Sequence, residues 1–265
     1  ALGWQGVLNR PRIALHADGT LYLAFRDGPG DSSTLEALLT RRPRGGAFAA
    51  PVNLSRSPGL LSDDVDVAVL TAEALMNLYP WSHWTADKKP KQYTAELVSL
   101  LEWSMEKEPT HIGANHYYIH AMEEYFPAKA EPAADRLRTL APDAGHLVHM
   151  PGHIYYRVGR YQDAATVNVN AIASDEAYFA RCRPGDFYRA AYYPHNIHFL
   201  WFAATTEGQS VEALATARNL AAKVEGYHQE LPLVEEFLVI PVLTLVRFGQ
   251  FDAVLGEPAP PDGRP

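Results

Sequence analysis

A single cysteine in 265 residues excludes a disulfide framework and any zinc site built on thiolates. Long apolar runs are also missing. The longest, Phe237 to Leu243, is far short of the roughly 20 residues that span a bilayer, and Pro241 interrupts it. Positive charge is in deficit: 23 Lys and Arg stand against 31 Asp and Glu, a net charge of -8, so there is no electrostatic footprint for nucleic acid or anionic lipid. No Gly-x-Ser-x-Gly elbow, phosphate-binding Gly-rich loop or His-Glu-x-x-His sequence occurs, which removes the best-marked hydrolase, nucleotide and zinc-protease chemistries. Cys182 is read as an inert buried residue. The chain opens without a signal peptide's apolar core; localisation stays open, with the cytoplasm favoured.

What is present is a globular composition, 47% apolar and 20% charged, and an excess of histidine. Of 11 histidines, eight fall between His111 and His198, where an even spread would place about four. That excess is the main functional signal.

Composition and periodicity divide the chain. Residues 1–60 are rich in Gly and Pro and alternate in strand fashion: Ile13 to Leu15, a turn at Asp18-Gly19, Thr20 to Phe25, a further strand near Thr34 to Thr40, and Phe48 to Leu54. Pro11 to Asp27, followed by Phe48 to Ser55, resembles one blade of a sialidase-like β-propeller; the Asp-box of sialidases is absent and no sialidase activity is implied. From Asp64 the period becomes helical: Val65, Val69, Ala72, Leu75 and Met76 share one face, and Leu97, Leu100, Leu101 and Met105 another. Tyr79 to Tyr93 between them reads as a connecting loop. The last ten residues, 256–265, are mostly Gly and Pro and are expected to be a disordered tail.

The helical region repeats. Gly159-Arg-Tyr161-Gln-Asp-Ala164 recurs 49 residues later as Gly208-Gln-Ser210-Val-Glu-Ala213, and 41 residues further as Gly249-Gln-Phe251-Asp-Ala-Val254. In each, a Gly ends one helix and a short polar turn leads to the next. This segment, 64–255, resembles the tetratricopeptide repeat (TPR). The resemblance implies a mainly α fold of antiparallel helical hairpins stacked as an α-solenoid behind a short N-terminal β segment. Its spacings exceed the usual repeat and the early Trp is missing, so a divergent relative is meant.

The histidines follow the same period. His146 and His149 recur one unit later as His195 and His198, and the i, i+4 step of His116 and His120 recurs in His149 and His153. Residues three or four apart share a helical face. The TPR resemblance places these seven on the first helices of three successive hairpins, pointing into one concave groove. His111 is assigned to the start of its helix, and His16, His83 and His228 lie off the pattern.

Imidazole is the commonest ligand for borderline metals, and i, i+4 pairs chelate. His116, His120, His146, His149, His153, His195 and His198 are therefore expected to bind a transition metal; zinc, iron, copper and manganese are not distinguished. Glu123, Glu124 and Tyr155 are the candidates for ligand or catalytic work, and Asn115, Tyr117 and Asn196 for orienting or substrate contacts. Pro151, between His149 and His153, breaks the helical rule and is expected to kink the helix. Function reads as a metal-dependent oxidoreductase or hydrolase, or as a non-catalytic scaffold; either takes a small molecule or peptide in the groove. A purely structural role for the histidines is the bland alternative. Neither nucleic acid nor membrane is expected as a partner, and the oligomeric state is open.

Overall fold

The structure is a computed structural model that describes residues 9–15, 21–27, 36–49, 52–53, 65–78, 80–182, 185, 187–227 and 231–257. The expected turn at Asp18-Gly19, the tail from 258, His16 and His228 lie outside these residues. The chain divides into two compact units, Ala1–Arg136 and Leu137–Pro265, each described by itself.

The first unit begins with a four-stranded antiparallel sheet in the order β1 (Asn9–Leu15), β2 (Leu21–Asp27), β3 (Glu36–Arg42) and β4 (Val52–Asn53). Four helices follow: α1 (Val65–Met76), α2 (Thr94–Lys107), α3 (Ile112–Met122) and α4 (Pro127–Leu137). The sequence marks one apolar face on α1, yet Val67, Ala68, Val69, Ala72, Ala74 and Leu75 are all buried. The reason is position: α1 packs on β2 and β3 and also on α2 and α3, so it needs apolar residues nearly all round. The composition change near residue 60 is therefore not a boundary between compact units; that boundary falls after Arg136. Tyr93, which ends the connecting loop, has a left-handed φ of 67° and precedes the first residue of α2.

The second unit holds α5 (Gly145–His149), α6 (Pro151–Arg157), α7 (Tyr161–Arg181), a π-helical turn (Tyr188–Tyr192), α8 (Tyr193–Thr206), α9 (Ser210–Val224), a 3-10 segment (Pro232–Val239), α10 (Ile240–Arg247) and α11 (Phe251–Gly256). Successive helices pack as hairpins, α5 and α6 on α7, α7 on α8, α8 on α9, α9 on α10. This is a mainly α, TPR-like stack.

The repeated turn has one physical form. Gly159, Gly208 and Gly249 have φ of 84°, 78° and 68°, a left-handed backbone that an L side chain opposes. The next residue's N–H then reaches back to close the helix: Arg160 to Tyr155 O at 2.8 Å, Gln209 to Ala204 O at 2.9 Å, and Gln250 to Leu245 O at 2.9 Å. Ala164 and Ala213, five residues after the first two glycines, are buried where the hairpins close. Ile197, Ala217, Leu220, Val224 and Val234 form the core between α8, α9 and the 3-10 segment.

Candidate metal centre

In the second unit Pro151 breaks what would be one helix into α5 and α6 at Met150, as expected of a residue without an N–H. The His153 N–H bonds to Met150 O, an i to i−3 contact at 3.2 Å. His149 on the last turn of α5 and His153 on the first turn of α6 face each other with ring centroids 4.8 Å apart. From α8, His195 joins them, 4.8 Å from the His149 ring and 5.5 Å from that of His153. One nitrogen from each of the three lies within 4.8 Å of the others, a spacing that can hold a metal ion. His153 Nε2 and His195 Nε2 are 3.4 Å apart. Two nitrogens at about 2.05 Å from a tetrahedral ion would stand about 3.4 Å apart.

His149 is fully buried, and its orientation is fixed from behind. Asn168 on α7 donates through Nδ2 to Ala164 O at 2.7 Å, which turns its Oδ1 toward His149 Nδ1 at 2.7 Å. An amide oxygen only accepts, so His149 Nδ1 carries the proton and Nε2 keeps its lone pair. His149 Nε2 is buried with no hydrogen-bond partner. Burial, then the neighbouring His153 and His195, hold His149 well below its ordinary pKa, so the lone pair is present at neutral pH. Phe199, one turn beyond His195, packs on all three rings, with centroids 4.8, 4.4 and 4.8 Å from those of His149, His153 and His195.

The other expected residues divide. His146 flanks the triad, its ring 6.3 Å from that of His149 and edge-on to Tyr192 at 5.3 Å. His198 turns the other way, stacking on Trp201 at 5.2 Å and 10° and packing near Phe237, so its ring serves an aromatic core instead of the triad. Asn196 donates to the buried Asp175 at 2.8 Å and so ties α8 to α7. Tyr155, a candidate for catalytic work, is fully buried, with the Arg160 guanidinium 4.2 Å over its ring. Cys182 is exposed, not buried.

In the first unit His116 and His120 meet through their Nε2 atoms at 3.1 Å on one face of α3. Glu123 Oε1 lies 3.7 Å from His120 Nδ1, while Glu124, the next residue, is exposed. Trp81, with a left-handed φ of 62°, meets the His120 ring edge-on at 5.2 Å, and Tyr117 lies beside His116 at 4.9 Å. Asn115 is buried and engaged locally: it donates to Pro109 O and His111 O and accepts from Arg136 Nε at 3.0 Å, so it shapes the start of α3. His111 caps that helix, accepting from the Ala114 N–H at 3.1 Å.

Sequence reading overlooked Asn168, Asp175, Gly145, Gly152 and Phe199. The signal was there: Asn168 and Asp175 fall on the buried face of α7 with Ala164, Val167 and Ala171, where apolar residues are the rule.

Fold and site together define a helical-repeat protein of tetratricopeptide-like architecture with a histidine triad in one hairpin stack. No protein-family model matches the chain, and no curated protein matches it. Among solved structures, the crystal structure of MamA is similar, at 12% identity over 62% of this chain and 89% of that one, with a TM-score of 0.41. This similarity lends no support to the blade resemblance of residues 1–60. Among the described residues no helix is long and apolar enough to cross a membrane.

Acid is expected to destabilise the fold through these histidines. Burial, then His120 and Lys91, lower His83 to about 4, and burial lowers His198. For these two and His149 the folded pKa lies below the unfolded value of 6.5, so the unfolded chain binds more protons as pH falls. Their contribution is whole above about pH 6.5 and falls as the pH drops below it; that of His83 is lost toward about pH 4, at up to about 1.4 kcal/mol per pH unit. Urea unfolding of chelator-treated protein should show a lower midpoint at pH 5 than at pH 7; equal midpoints would refute the shifts.

Proposed function

We propose that His149, His153 and His195 bind one transition-metal ion, and that the protein acts through that ion as a metal-dependent oxidoreductase or hydrolase. The observation that carries this is the buried, unpartnered Nε2 of His149, its tautomer set by Asn168, beside two further imidazoles at ligand spacing. A buried polar atom without a partner costs about 1–3 kcal/mol, and a metal bond removes that cost. Three protein ligands leave a position for water or substrate, the arrangement of catalytic sites; structural zinc sites close all four. His153 and His195 are partly exposed, which gives the ion a solvent side. His116 and His120 are a second, bidentate candidate, with Glu123 placed to orient His120. Imidazole donors suit zinc, copper, iron and nickel more than magnesium or calcium.

Elemental analysis after incubation with zinc, copper, iron or manganese should find metal bound stoichiometrically. His153→Ala and His195→Ala should each remove one equivalent while leaving helical circular dichroism unchanged. No uptake of any ion ends the metal reading. The helical-repeat fold itself supports a second reading, a non-catalytic scaffold for a peptide; a pull-down that survives chelator and fails on groove substitutions would favour it.

A further inference from the structure

We infer that the ion held by His149, His153 and His195 takes a small anion as its remaining ligand, so that the substrate presented to it carries a carboxylate or a comparably small negative group. This deepens the metal reading and rests on it.

The argument begins with charge. All three ligands are imidazoles, which bind metal in the neutral form, and the cluster brings no carboxylate or thiolate. A divalent ion there would keep its full double charge. Among the described residues, the groups acting electrostatically on the His149 ring are the imidazoles His153, His195 and His146, and its hydrogen-bond partner is the uncharged Asn168. A double charge that its own ligands do not reduce, in a partly buried place, attracts an anion more strongly than it would in water, because the local dielectric is low.

Geometry then limits the ligand. His149 closes the floor, fully buried, with Asn168 behind it on the Nδ1 side. Phe199 lies within 4.4–4.8 Å of all three ring centroids and makes one wall apolar. Approach is left to the side where His153 and His195 are partly exposed. Phe199 stands against all three ligand rings, so a ligand to the ion is crowded on that side and a small one is favoured. The apolar wall also strips water from the anion's neighbourhood, which strengthens its attraction to the ion.

Cobalt(II) and azide are the probes. The full chain carrying His116→Ala and His120→Ala, which removes the other chelating pair, is loaded with cobalt(II) and its visible absorption recorded. Cobalt uptake with a visible band of low-symmetry coordination is expected, and azide at millimolar concentration should shift that band to saturation. An uncharged ligand of similar size, acetonitrile, should bind at least about tenfold more weakly if charge governs the position. His195→Ala in the same background should lose the band. Absence of any cobalt uptake overturns the metal reading and this inference together. Uptake with a band that azide does not move overturns the inference alone, as does an equal response to azide and acetonitrile.

Discussion

Gly145→Ala should lower the stability of the fold by about 2–5 kcal/mol, read as a lower urea midpoint. A Cβ at residue 145 would lie 2.0 Å from Asp175 Oδ1, 2.4 Å from its Cγ and 2.8 Å from its Oδ2. One of the two must move, and Asp175 has no room to yield. It is buried at 1% exposure, accepting from Tyr188 Oη at 2.7 Å and from Asn196 Nδ2 at 2.8 Å. Burial raises its pKa, while those two hydrogen bonds lower it, so displacing the carboxyl leaves a buried group stripped of what offsets its desolvation. Asp175, Tyr188 and Asn196 come from α7, the π-helical turn and α8, and Gly145 opens α5, so one methyl group loosens four segments at once. Asp175→Ala, combined with Gly145→Ala, should recover part of the loss, because the clash disappears with the carboxyl. A midpoint within about 0.5 kcal/mol of the parent would show that α5 does not approach α7 this closely.

Asn168→Leu should weaken metal binding at the triad by about 10–100-fold, the range found when a group supporting a metal-bound histidine is removed. Leucine is close to Asn in size but offers no acceptor, so the His149 Nδ1–H loses the amide oxygen it donates to and the ring is no longer held with Nε2 inward. Competition with a chromophoric zinc chelator measures the change. Nitrogen-detected NMR of the chelator-treated protein reports the tautomer directly, and should show a single Nδ1–H form in the parent and a mixture in the variant. Gly152→Ala should act in the same direction: its Cβ would fall 2.7 Å from Asn168 Nδ2, pushing the amide away from Ala164 O and from His149. Affinity changed less than twofold in Asn168→Leu, with the tautomer retained, would remove Asn168 from the positioning role.

Both predictions rest on polar or small residues at core positions, and both were visible in principle along the chain. Ala164, Val167, Ala171 form an apolar row on α7 that Asn168 and Asp175 interrupt. Without the partner helices, such interruptions look like any polar residue near a helix surface. Their partners, His149 and Tyr188, are 19 and 13 residues away, on other segments.

Much of the architecture was set locally. The glycines at 159, 208 and 249 each demand a left-handed turn, and each ends a helix by the same backward hydrogen bond, so the hairpin repeat is written in short segments. The four strands of residues 9–53 and the switch to helix near Val65 likewise follow from alternation and period. Pro151 breaks its helix wherever that helix lies. The pairing of His116 with His120 also needs only one helix. What the tertiary structure alone decided is which histidines converge. His195 and His198 are three residues apart on α8, about 60° around the helix axis at 3.6 residues per turn. That angle is enough to send His195 toward α5 and α6, where His149 and His153 stand, and His198 toward Trp201 and Phe237. Sequence spacing places two residues on one broad face; which neighbour each meets depends on where the adjoining helices pack.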